Sequence, residues 1–235
     1  AGPAGATGPL DGRRGFAYPK AMTGLLLALL LSPALAQEHP CRPVPGVGCW
    51  YGPEAWNGTV LVYLRGHHPS HSSRVPAGEL VASARQAFEF YGLRGAADSS
   101  GARVLVTGNS PLVVNAETLA KLEPTRVVVA AHSGGYIALE RTLSGLPGVE
   151  RVVLLDMFYG AAPLRETPTL TRIARAVKAT GAACSGYYTS HNWERYKLYF
   201  RDEAPGCAVQ DGAAYGHNGG VNRCLPAFLA GNPCS

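Results

Sequence analysis

Apolar residues fall in unbroken runs separated by periodic segments. Four runs stand out: Thr59–Leu64, Ala102–Thr107, Arg126–Ala131 and Arg151–Leu155. They are rich in Val and Leu and do not alternate with polar residues, the pattern of strands buried on both faces. Weaker runs at Ala183–Thr189 and Cys207–Val209 predict a fifth and a sixth strand. Between the runs the spacing turns helical, over Ala77–Tyr91, Asn115–Leu122, Gly134–Leu143 and Leu164–Ala179. A last helix is predicted over Val221–Leu229, stopped by Gly231 and Pro233. Strands alternating with helices imply a parallel sheet with right-handed crossovers. The expected fold is therefore α/β, a three-layer, doubly wound, mostly parallel sheet. Such sheets bind ligands at the carboxyl ends of their strands, so reactive side chains should follow directly after strands.

The beginning of the chain reads differently. Leu25–Leu31 is wholly apolar and is followed by Ser32-Pro33 and Ala34-Leu35-Ala36. A short greasy core closed by a small-x-small site is the pattern of a secretory signal peptide. A transmembrane helix needs about 20 apolar residues, and this run is too short. Residues 1–36 are expected to be an N-terminal extension and signal peptide cleaved after Ala36, and residues 37–235 a single domain. Gly2, Gly5 and Gly8 repeat every third residue, but the period breaks at Asp11-Gly12, too soon for a triple helix. An upstream extension with Met22 as initiator is the plainer reading. No cysteine stands directly after the cleavage site, so no stable membrane anchor is expected, and the location is secreted or periplasmic.

The cysteines fit an exported chain. There are six, Cys41, Cys49, Cys184, Cys207, Cys224 and Cys234, an even number that argues for disulfides. Spacing does not fix the pairing. The locally closed choice is Cys41–Cys49, Cys184–Cys207 and Cys224–Cys234. No C-x-x-C spacing occurs, which disfavours a zinc ribbon.

An apolar share of 46% against 16% charged residues supports a packed core rather than a disordered chain. The net charge of +5 is spread out, with no basic cluster of the kind nucleic-acid binding requires. No nucleic-acid partner is expected, and the chain reads as a monomer acting on a small molecule. Asn57-Gly58-Thr59 is a formal glycosylation sequon.

The sharpest chemical signal is Val127-Val128-Val129-Ala130-Ala131-His132-Ser133-Gly134-Gly135-Tyr136-Ile137. A buried strand enters a small-x-Ser-x-small turn and a helix leaves it, the pattern of a nucleophile elbow. The turn is so tight that the positions two residues either side of the serine must be small. Ala131 stands where Gly is usual, and Gly135 fits. Two further places complete the pattern: Leu64-Arg65-Gly66-His67 after the first strand, and Gly216-His217-Asn218-Gly219 before the last helix. On these three places, over Thr59 to Leu229, the chain resembles the α/β-hydrolase superfamily in a small, secreted form. The resemblance implies serine, acid and histidine in that chain order, and an oxyanion hole shared by two loops.

The roles follow from the chemistry. A serine hydroxyl needs an adjacent base. His217, in the late loop, is the candidate, with His191 as runner-up, while His132 should point away from the serine. The acid orients the imidazole and stabilises its cation. Asp156 ends a strand and is the candidate acid. Many superfamily members carry the acid one strand later, but here that stretch has no carboxylate before Glu194. Asp211 and Glu194 are the alternatives. The oxyanion hole is assigned to Gly134 N–H and the Gly66-His67 loop, with Arg65-Gly66 standing where many relatives have His-Gly. His68, Phe158, Tyr159 and Trp193 are candidate pocket residues. Tyr187-Tyr188 and Trp193 to Phe200 read as core or cap. Three imidazoles, His67, His68 and His71, invite a zinc reading, but no carboxylate lies beside them, so neither metal nor cofactor is expected.

The expectation is a serine hydrolase cleaving a carboxylic ester through an acyl-enzyme. Peptide or amide cleavage on the same triad, a non-catalytic binding module on a hydrolase scaffold, and a metal-dependent hydrolase are the alternatives.

Overall fold

The apolar runs form the middle of an eight-stranded, mostly parallel sheet in the order β1-β2-β4-β3-β5-β6-β7-β8. The computed structural model describes residues 40–66, 76–108, 112–157, 167–189, 193, 196 and 200–235, all within the unit His39–Ser235. The expected signal peptide at 1–36 lies outside the described residues. In chain order the elements are β1 (Arg42–Val44), β2 (Gly48–Tyr51), β3 (Thr59–Leu64), α1 (Ala77–Phe90), α2 (Leu93–Ser100), β4 (Arg103–Thr107) and α3 (Ala116–Ala120). Then come β5 (Arg126–His132), α4 (Tyr136–Gly145), β6 (Val149–Leu155), α5 (Thr167–Ala179), β7 (Ala183–Tyr188), α6 (Arg201–Glu203), β8 (Cys207–Asp211) and α7 (Gly219–Leu229). Only β2 runs antiparallel to its neighbours, and every other pair is parallel.

The unbroken runs are explained by helices on both faces. All six residues of β3 are buried. Val60, Val62 and Leu64 pack with Leu119, Leu139 and Ile173 from α3, α4 and α5. The alternate residues Leu61 and Tyr63 pack with Phe88, Leu93 and Phe228 from α1, α2 and α7. A strand between two apolar layers has no use for polar positions. The aromatic segment after β7 is also core: Tyr188, Tyr196 and Phe200 are buried, with Tyr196 stacked on Tyr188 at 4.9 Å between ring centroids.

The β1–β2 hairpin, α2 and the three-residue α6 add to the elements read from the sequence. The β1–β2 hairpin extends the sheet beyond β4, and α2 follows α1 after a break at Gly92. The helix α7 begins at Gly219, two residues before the expected start.

Three disulfides pin the ends of the sheet. Cys41–Cys49 closes the β1–β2 hairpin, Cys184–Cys207 joins β7 to β8, and Cys224–Cys234 ties α7 to the last residues. The last tie is reinforced by Gln210, whose side chain donates to the Cys234 carbonyl and accepts from its N–H, both at 2.9 Å. Each short loop closure contributes about 2–4 kcal/mol, mainly by restricting the unfolded chain. Three such bonds fit an extracellular or otherwise oxidising compartment. Among the described residues no helix is long and apolar enough to cross a membrane.

The sheet topology marks one place for ligands. From β3 the chain moves to β4 on one side, whereas from β5 it moves to β6 on the other. The crevice at the carboxyl ends of β3 and β5 is thus a topological switch point, where open α/β sheets bind their ligands.

Candidate active site

The register of the parallel strands lines up the residues that follow them. Leu64 pairs with Ala131, and His132 pairs with Leu155. Continuing each strand outward, Gly66, Ser133 and Asp156 fall in one row along the carboxyl edge.

At the end of β5 the backbone turns abruptly. His132 is still extended, Ser133 has φ +52°, and a single 3₁₀ turn over Ser133–Gly135 leads into α4. A left-handed serine costs of order 1–3 kcal/mol and persists only where its surroundings enforce it. Gly135 supplies part of that enforcement: a methyl placed on it would overlap the Leu64 carbonyl oxygen of β3. Gly135→Ala should therefore lower stability by about 2 kcal/mol, since the overlap is with backbone that cannot rotate away. A thermal melt should show this as a drop of about 5 °C for a domain of this size.

Gly66 faces the same turn from β3. A methyl on Gly66 would sit 2.9 Å from Ser133 Cβ and 3.1 Å from Gly134 N. The two loops assigned to the oxyanion hole therefore meet with little room between them. Gly134 N–H precedes the first turn of α4, where the helix dipole favours negative charge. His67 and His68, which follow Gly66, and the pocket candidates Phe158 and Tyr159 lie outside the described residues. So do His71, His191 and Glu194.

Asp156 is fully buried and also has a left-handed backbone, φ +42°. Its N–H donates to the Tyr187 carbonyl at 2.8 Å, continuing the β6–β7 ladder one bond past the end of β6. Oδ1 accepts from Thr189 N–H at 2.9 Å, and Thr189 Oγ1 lies 3.2 Å from both carboxylate oxygens. Oδ2 is 2.7 Å from His217 Nδ1. A buried carboxylate requires such partners to remain charged. Thr189 is a site residue the sequence reading did not single out. The one available cue was a hydroxyl residue directly after a strand.

His217 reaches this carboxylate from the loop before α7, with its side chain 22% exposed. Donation from Nδ1 to Asp156 leaves Nε2 as the basic nitrogen. The alternative acid Asp211 is exposed and closes its own turn, accepting from Ala213 N–H at 2.8 Å.

His132, next to the serine, is turned inward and 1% exposed. Its ring packs edge-on against Tyr91 at 4.8 Å and lies 4.9 Å from the His217 ring. Burial, with a smaller contribution from nearby His217, pushes its pKa down to about 4.

Among the described residues no cluster of three metal-binding side chains is assembled. A cavity of about 320 Å³ sits at the antiparallel end of the sheet, lined by residues including Pro43, Trp50, Leu105 and Leu122. None of the described candidate site residues lines it. No protein-family model matches the chain, and no curated protein shows significant similarity to it.

Proposed function

We propose that this chain is a serine hydrolase of α/β-hydrolase type that cleaves carboxylic esters through an acyl-enzyme on Ser133. The observation that carries the reading is the buried Asp156 held 2.7 Å from His217 Nδ1, on the strand next to the one that ends in a strained serine. Strain at a serine and burial of an orienting acid are costs a purely structural turn has no reason to bear. Serine, acid and histidine also follow the chain order of that superfamily.

In the proposed reaction Ser133 Oγ attacks the ester carbonyl while His217 Nε2 takes its proton. The carbonyl π electrons move onto oxygen, and Gly134 N–H donates to the resulting oxyanion. The C–O bond to the alcohol then breaks, and the His217 imidazolium protonates the departing oxygen. Water, deprotonated by His217, then attacks the acyl carbonyl; the bond to Ser133 Oγ breaks, the imidazolium returns the proton to Oγ, and the carboxylic acid leaves. Asp156 stays ionised throughout and stabilises the imidazolium. Export fits the same reading, with residues 1–36 removed as a signal peptide and the disulfides formed outside the cytosol.

A fluorophosphonate probe tests the assignment. Mass spectrometry of the folded, labelled protein should find one adduct, on the peptide containing Ser133, with parallel loss of activity toward a panel of chromogenic esters. Ser133→Ala should take no label. A folded wild-type protein that takes no label at Ser133 overturns the reading.

A further inference from the structure

The backbone of His217 is held as well as its ring. Its carbonyl oxygen accepts from Tyr187 Oη at 3.0 Å and from His132 Nε2 at 3.1 Å. The two donors arrive from different strands, Tyr187 from β7 and His132 from the last position of β5. Both side chains are at most 1% exposed. A carbonyl only accepts, so this contact places the His132 proton on Nε2. Nδ1 then carries the lone pair, and no described residue bonds to it. Burial keeps His132 neutral and keeps the Tyr187 phenol protonated, so both retain the proton they donate.

We propose that His132 and Tyr187 are positioning residues, a two-donor clamp on the His217 carbonyl that sets the reach of the imidazole toward Ser133. The inference rests on the serine-hydrolase reading above. The bond to Asp156 fixes one ring nitrogen, but the ring can still pivot about it. Fixing the carbonyl at the other end of the residue removes that freedom. Displacement of a reacting group by an ångström costs on the order of 10²-fold in rate. His132 is also covalently joined to Ser133, so the clamp ties the base to the turn that presents the nucleophile. The elbow pattern leaves the position before the serine open, and this contact gives a reason for histidine there. The titratable neighbours of the clamp are Asp156 on the His217 ring, Tyr91 and Tyr63 packed on His132, Arg65 acting on His132 from the end of β3, and Tyr215 packed on Tyr187, which Asp156 and Tyr91 also influence.

The test measures ester turnover and fluorophosphonate labelling, each per active site as counted by the final label, across the neutral pH range. Tyr187→Phe should lower kcat about fivefold, the worth of one hydrogen bond. His132→Leu should lower it about 10²-fold, with KM changed less than about twofold in both variants. His132→Gln, which offers an amide N–H near the Nε2 position, should recover most of the loss. The acidic limb of the pH–rate profile, where the base must be unprotonated to act, should move in the Leu variant, because the imidazole is re-seated against Asp156. A merely structural role would reduce the number of labelled sites and leave the rate per site and the pH profile unchanged. That outcome overturns the clamp and leaves the hydrolase intact. If wild-type protein does not label at all, the hydrolase reading fails and the clamp with it. Tyr187→Phe removes a single oxygen, and it decides the matter if His132→Leu does not fold.

Discussion

Asp156→Asn is expected to give a folded protein whose kcat for an ester substrate is about 10⁴-fold lower. The size of the effect comes from the direction in which the new amide must face. Thr189 N–H donates to Oδ1 at 2.9 Å, so the oxygen of asparagine takes that position. The amide nitrogen then occupies the Oδ2 position, 2.7 Å from His217 Nδ1. Two donors cannot meet there. Nδ1 must give up its proton and accept, which moves the proton to Nε2, the nitrogen needed as base. The substitution keeps shape and volume and reverses the tautomer. Steady-state kinetics on a chromogenic ester, with a thermal melt to confirm folding, measures it. An asparagine variant within about tenfold of wild type would remove Asp156 from the proposed mechanism, since loss of the correct tautomer cannot be that mild.

The same site shows how far the sequence alone reaches. The central strands were legible because each is apolar on both faces. The turn at Ser133 was legible because its neighbours must be small, and Gly135 meets that need against Leu64. The hairpin β1–β2 was not legible. Its strands have three and four residues, include Pro43, and are held by a disulfide and by pairing with β4 rather than by periodicity. Nor was α2, whose Leu-Arg-Gly-Ala-Ala-Asp-Ser-Ser is short, carries Gly95 inside it and closes on residues that favour caps and turns. Burial of Leu93, Ala96 and Ala97 against the sheet layer stabilises it instead. Asp156 and His217 are 61 residues apart and meet only because the sheet order sets β6 beside β5 and returns the late loop to that edge. The hydrogen bonds of Thr189 and Tyr187 depend on the register of β7, which no local pattern encodes. Residue type thus marked the proposed nucleophile, whereas the partners that hold the proposed base emerge from strand order and register.

The second large effect is on stability, and it falls on His132. An imidazole in the unfolded chain takes up a proton near pH 6.5, but the folded protein holds this one unprotonated down to about 4. Between those values the unfolded state binds more protons, so stability decreases as pH falls through that window. The contribution is fully present above about pH 6.5 and is lost below about pH 4, amounting to about 3 kcal/mol. Urea unfolding at neutral pH and near pH 4 measures the difference. His132→Gln carries no titrating group at this position, so its acid loss should be smaller than that of wild type by about 3 kcal/mol. The glutamine variant separates this imidazole from the carboxylates, whose contribution to acid unfolding is common to both proteins. Equal losses in the two would mean that His132 protonates in the fold as readily as in the open chain. Such a proton would have to be accommodated between Tyr63, Tyr91 and the His217 ring, in a space that the structure shows closed to water.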